Sequence, residues 1–167
     1  MSEGWELAAR VVLIGSGATL ATDLWARLLK YAFGVPLPDW RMVGRWLGHM
    51  PAGHFVYRGM ARAAPVRGER AVGWVAHYVI GIVFAAMLIA IAGVAWARQP
   101  TPVPALLLGL STVAFPFLLM QPCMGAGFAA SNTPSPNQAR LRSVLNHAVF
   151  GAGLYVAGLL VARWMPG

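Results

Sequence analysis

The run VPALLLGLSTVAFPFLLMQPCMGAGFAA, Val103 to Ala130, holds 28 residues and no charge. About 20 consecutive apolar residues cross the hydrocarbon core of a bilayer as an α-helix, so this run reads as membrane-spanning. Its second half complicates the reading. In LLMQPCMGAG, Leu118–Gly127, a glutamine, a proline and the chain's only cysteine stand where polarity is hardest to satisfy. Pro122 removes a main-chain donor and frees a carbonyl. Irregular backbone at such a depth is tolerated only where protein or a cavity receives it. The expectation is a bent helix with Gln121 turned inward.

Working outward, three more runs behave alike. Leu7 to Ala26 carries only Arg10 and Asp23, while Ala71 to Ala97 and Ser143 to Ala162 carry no charge. Hydrophobic residues make up 58% of the 167-residue chain and charged residues 11%. A soluble domain of this size has about 25% charge, so the surface faces something other than water. The sequence predicts an all-α, polytopic membrane protein, a single four-helix bundle over residues 1–167. The spans fall at about 7–30, 71–97, 103–128 and 142–163. The N-terminus, MSEGWE, is acidic and lacks the basic start of a secretory signal, so the first helix is expected to be retained. One cysteine excludes an intramolecular disulfide.

The net charge of +8 suggests nucleic acid only if its position is ignored. Arg10, Arg98 and Arg163 lie on one side of the predicted spans. The other ten basic residues, Arg27, Lys30, Arg41, Arg45, Arg58, Arg62, Arg67, Arg70, Arg140 and Arg142, lie on the other. The positive-inside rule puts the ten in the cytoplasm and both termini outside. The first and third loops are then cytoplasmic. Anionic lipid is the expected partner of these loops, and nucleic acid is not.

The first loop, about residues 31–70, is the only sizeable part outside the spans. PDWRMVGRWLGHMP predicts a helix at 39–50, with Asp39 as N-cap and Pro51 as stop. Trp40, Val43, Leu47 and Met50 share one side, and Arg41, Arg45 and His49 another. That pattern describes an amphipathic helix lying in the membrane interface. A sharper reading makes Arg45 and His49 a lid over an anionic group. Trp25, Trp46 and Trp74 near the cytoplasmic boundary, with Trp5, Trp96 and Trp164 near the outer one, read as aromatic belts. HYVIG (His77–Gly81) and HAVFG (His147–Gly151) enter the membrane in the same direction and suggest parallel two-helix repeats.

Each span carries one strong polar group in its cytoplasmic half: Asp23, His77, Gln121 and His147. Asp23 lies seven residues before Lys30, and His77 seven after Arg70, or about 10 Å along a helix. Random placement would scatter such residues over both halves. Intramembrane ionisable residues are costly and mark proton or solute pathways. Interhelical hydrogen bonding is the competing account, and such bonds average about 0.6 kcal/mol. Two histidines and a carboxylate exceed what that role needs. Asp23 is the expected titrating group, His77 and His147 its partners, and Gln121 the residue that orients a ligand. Arg45, His49, Glu69 and Arg140 form the expected cytoplasmic mouth.

The same residues leave a second class open. Asp23, His77 and His147 make a two-histidine, one-carboxylate set suited to zinc or non-haem iron. His77 and His147 also match a haem clamp, with Gly81 and Gly151 giving clearance. A structural subunit held by polar contacts is the third class. The sequence names no cofactor and decides no enzyme activity. Four helices are few for a transporter, which favours a homodimer.

GATLATDLW, GRWLGHM, GERAVGWVAHY, MQPCMGAGFAASNTPSPNQARLRS and HAVFGAGLY together resemble an uncharacterised family of small bacterial membrane proteins, a domain of unknown function with four predicted helices. The resemblance covers nearly the whole chain. It implies an integral protein of the bacterial inner membrane. It carries over no catalytic role.

Overall fold

The computed structural model describes residues 3–165. Among them every regular element is helical and none is a strand. Helix α1 runs Glu3–Phe33 and α2 Trp40–His49. Helix α3 runs Glu69–Ala92, α4 Val94–Arg98 and α5 Pro102–Ser111. A π-helical segment, Pro116–Met120, leads into the single turn α6, Gln121–Cys123, and α7 runs Pro136–Trp164. Four stretches are long and apolar enough to cross a membrane: Glu3–Phe33, Glu69–Ala92, Pro102–Cys123 and Pro136–Trp164. Many of their large aliphatic side chains stay outward, as Leu20, Leu24 and Leu28 do on α1 and Val75, Val79 and Val83 on α3. In water such faces drive aggregation, whereas lipid accepts them.

All four spans start before their predicted first residue, and two stop short of their predicted ends. The second does not run to Ala97. It stops at Ala92 because Gly93 turns to φ 86°, and α4 starts afresh. The third ends at Cys123 rather than near residue 128. An uncharged run is therefore longer here than the helix it contains. Pro116 and Pro122 each lack an N–H and crowd the carbonyl four residues back. The π-helical segment absorbs the mismatch, with the Gln121 N–H reaching Pro116 O.

The chain divides into two compact units. The first comprises the chain up to Leu37, Tyr78–Thr112 and the chain from Asn146. The second comprises Pro38–His77 and Val113–Leu145.

In the first unit, Ile14, Ala18, Ala85, Leu88 and Leu154 are fully enclosed, and Phe84 meets Phe150 edge to face at 6.0 Å. Its helices approach through small residues. A side chain on Gly15 would run into Gly81 O and Ile82, and one on Gly81 into Thr19 Oγ1. Correspondingly, a side chain on Gly109 would strike Gly151, and one on Gly151 would press on Ala105 O at 3.0 Å. Thr19 Oγ1 donates back to Gly15 O at 2.8 Å, and Thr112 Oγ1 to Gly109 O at 2.6 Å. Thus α1 crosses α3, and α5 crosses α7, through the same glycine–glycine contact flanked by a threonine. This is the geometric counterpart of the HYVIG/HAVFG similarity. Arg10 is 1% exposed. It pairs with Glu6 at 2.9 Å and donates to Ala97 O at 2.9 Å and to Met165 O.

In the second unit, α2 lies against the start of α3. Gly44 and Gly73 make the crossing. A Cβ on Gly44 would overlap the Glu69 carbonyl, and one on Gly73 the Trp40 carbonyl. Asp39 caps α2 through Arg41 N at 3.1 Å, as its position predicts. The Arg41 guanidinium beside it holds the Asp39 carboxyl below the usual aspartate range. The predicted Arg41–Arg45–His49 face does not stay together. Arg41 is exposed, while Arg45 is 8% exposed and turned inward.

Two tryptophans of the expected belts are interior instead. Trp46 is buried with Nε1 on Phe55 O at 2.8 Å, and Trp96 is buried with Nε1 on Thr101 O at 3.0 Å. An indole N–H reaches a carbonyl wherever a turn leaves one free. In these two places the turn follows directly in sequence.

The glycine crossing yields a direct expectation. Gly44→Val forces α2 off α3 while leaving the four spans intact. Limited proteolysis then cuts between residues 38 and 70 at least tenfold faster than in the wild type. Unchanged protection would show that the crossing does not hold α2.

Candidate functional site

The four polar groups singled out from the sequence each have defined surroundings. Asp23 is 8% exposed, and its Oδ2 accepts a hydrogen bond from the Tyr78 hydroxyl at 3.0 Å. Both belong to the first unit. In the same unit, His147 Nδ1 lies 2.7 Å from Thr112 Oγ1. That hydroxyl sends its one proton to the Gly109 carbonyl, which can only accept. The hydrogen-bond pattern therefore assigns the proton to Nδ1 of His147 and the lone pair to Nε2.

The other two belong to the second unit. His77 is stacked on Trp40, with ring centroids 3.8 Å apart and planes 21° apart, and Trp74 meets it at 6.0 Å and 67°. The Trp of the amphipathic helix thus covers the imidazole of the second span. Gln121 Nε2 is 3.4 Å from Ser143 Oγ. Gln121 Oε1 is buried with no hydrogen-bond partner among the described residues, as is Trp25 Nε1 in the first unit. A buried unpaired acceptor costs about 1–3 kcal/mol.

The residues of the expected mouth hold backbone together. Arg45 and Glu69 form a two-pronged ion pair, with Nε to Oε2 and Nη2 to Oε1 both at 2.8 Å. Arg45 Nη1 also donates to Ala63 O at 3.1 Å and Ala61 O at 3.4 Å. Its guanidinium is pushed further up in pKa, first by that carboxylate. Glu69 Oε2 in turn accepts the Val66 N–H at 3.0 Å. His49 Nε2 is 2.9 Å from Ala64 O, and Arg140 Nε donates to Ala129 O at 2.8 Å. One partly buried ion pair therefore fixes α2, the start of α3 and the chain from Ala61 to Val66.

Sequence reasoning did not find Tyr78, Thr112, Ser143 or the Trp40 stack. Two carried a signal. Thr112 stands three residues after Gly109 much as Thr19 stands four after Gly15, and Tyr78 adjoins His77. The clearance expected beside the histidines is filled by protein, since Gly81 receives Thr19 and Gly151 receives Gly109. No group of three or more His, Cys, Asp or Glu side chains among the described residues is gathered as for a metal ion.

These features define a multi-pass membrane protein with ionisable side chains inside its spans. The chain belongs to the family described as a protein of unknown function (DUF2938), whose profile matches residues 12–161. No curated protein and no solved structure matches it.

The ion pair gives a double-mutant test. Arg45→Ala leaves the Glu69 carboxylate without its cation and lowers the thermal midpoint by several degrees. Arg45→Ala combined with Glu69→Gln recovers part of that loss, because the remaining charge is gone. Strictly additive losses would mean the pair contributes no coupling.

Proposed function

We propose that this protein binds or translocates a small solute or a proton through its membrane-embedded polar groups, with Asp23 as the titrating residue. A single observation carries the reading: within a 31-residue apolar helix, a buried carboxyl is held by a phenol hydroxyl. A tyrosine is a donor that stays neutral near pH 7, so the carboxyl can gain and lose its proton without losing this partner. His147, assigned an open Nε2, supplies a second proton-exchanging group. In the second unit, His77 and Gln121 are proposed as polar groups in their own right, and the unpaired Oε1 of Gln121 offers an acceptor to a solute's N–H or O–H. The site is proposed to open toward the cytoplasm.

The test uses protons, which need no identified solute. Purified protein in liposomes is expected to show a pH-dependent carboxylic C=O infrared band that vanishes in Asp23→Asn. Dissipation of an imposed pH gradient is expected to fall at least tenfold in the same variant. Tyr78→Phe is expected to keep the band while changing its frequency, because the carboxyl loses a hydrogen-bond donor. An Asp23→Asn protein with wild-type band and flux would sink the reading.

The proposal places the chain in a bacterial plasma membrane, both termini outside, as a homodimer whose basic loops meet anionic lipid. Orientation is checked in a Cys123→Ser background with a membrane-impermeant maleimide. Gln99→Cys should react in intact cells, and Arg67→Cys only after permeabilisation. The reverse pattern would invert the topology.

A further inference from the structure

The first loop carries a group of rings that the proposed proton or solute site does not use. His49 ends α2. The 3-10 turn Met50–Ala52 follows, Gly53 takes φ 79°, and the His54 N–H returns to the His49 carbonyl at 3.4 Å. This turn brings His54 back beside His49, with ring centroids 6.5 Å apart and planes 86° apart. Tyr57 closes the third side, 5.5 Å from His49 and 6.5 Å from His54. Its backbone N–H is fixed on Cys123 O at 2.8 Å.

His49 is held in one tautomer. Its Nε2 lies 2.9 Å from the Ala64 carbonyl. A carbonyl only accepts, so Nε2 carries the proton and Nδ1 holds the lone pair. A metal-ligating histidine usually has this arrangement, one ring nitrogen donating to a backbone carbonyl and the other bare. The spacing decides what the pair can hold. An ion about 2.0–2.1 Å from one nitrogen of each imidazole puts the two ring centroids about 5 Å apart at a tetrahedral angle and about 6.5 Å apart in line. The observed separation lies at the open end of that range. His54 is exposed, so turning its ring closes the angle without moving the backbone.

We propose that His49 Nδ1 and a ring nitrogen of His54 form a binding site for a divalent transition-metal ion at this turn. Imidazole donors suit copper, nickel and zinc. No third His, Cys, Asp or Glu among the described residues joins them, so water completes the coordination. Tyr57 is a positioning residue here. It packs on His49 and limits its rotation. The site stands independently of Asp23, so it holds or fails without the transport reading.

Copper(II) is the probe, added to the purified, tag-free full chain in detergent. Electron paramagnetic resonance is expected to show one bound equivalent coupled to two nitrogens. His54→Ala, at an exposed position, is expected to weaken binding at least tenfold and leave one nitrogen or none. His49→Ala is expected to do the same, whereas His77→Ala, His147→Ala and Tyr57→Phe keep the two-nitrogen signal. Copper bound by His54→Ala as by the wild type, or no stoichiometric copper in the wild type, would overturn the proposal.

Discussion

Main-chain carbonyls at a helix end within apolar surroundings have no water to turn to, and the second unit is built around that constraint. Pro122 and the glycines after it end the third span at Cys123. The freed carbonyls of Cys123 and Met124 are taken by the N–H groups of Tyr57 and Met60 at 2.8 and 3.1 Å. The first loop thus supplies the donors that the broken helix lacks. Gly125, at φ 90°, lets the chain pass against the backbone of Arg58, where a side chain would collide. The glutamine and proline in LLMQPCMGAG mark a helix ending that another part of the chain closes.

The loop can serve in this way only if it is itself fixed. The Gly44–Gly73 crossing sets the distance of α2 from α3, and the Arg45–Glu69 pair sets its register. A planar guanidinium that meets a carboxylate with two bonds and two carbonyls besides leaves little freedom to slide. A lysine would supply one point charge and lose that geometry. Arg45 therefore acts through position, with its charge paired to Glu69 inside the second unit.

The spans are legible in the sequence because lipid imposes a length and an apolar composition that run unbroken through the chain. The N-cap Asp39 is legible too, since capping is local. What the sequence hides depends on contacts between distant segments. Nothing near Arg45 in sequence announces Glu69, 24 residues on, and nothing near Asp23 announces Tyr78. The end of the third span is hidden for a different reason. Charge is absent from residues 124–130 even though they form no regular span, because their polarity is in the backbone and a composition count does not see it. Trp46 and Trp96 resemble belt residues by position alone, and a turn carbonyl within reach draws each of them inside.

The polar groups of the spans fall into two kinds once their partners are known. Thr19 and Thr112 send their hydroxyl protons to the preceding turn of their own helix. They are packing residues, the polar edge of a glycine crossing that occurs twice. His147 and Gln121 are different. His147 keeps a ring nitrogen that the Thr112 contact does not use, and Gln121 keeps a buried oxygen unpaired among the described residues. Residues needed only to hold helices together would close such valences, because each open one costs stability where water is scarce. Those two open valences are the physical reason to look for proton or solute chemistry there.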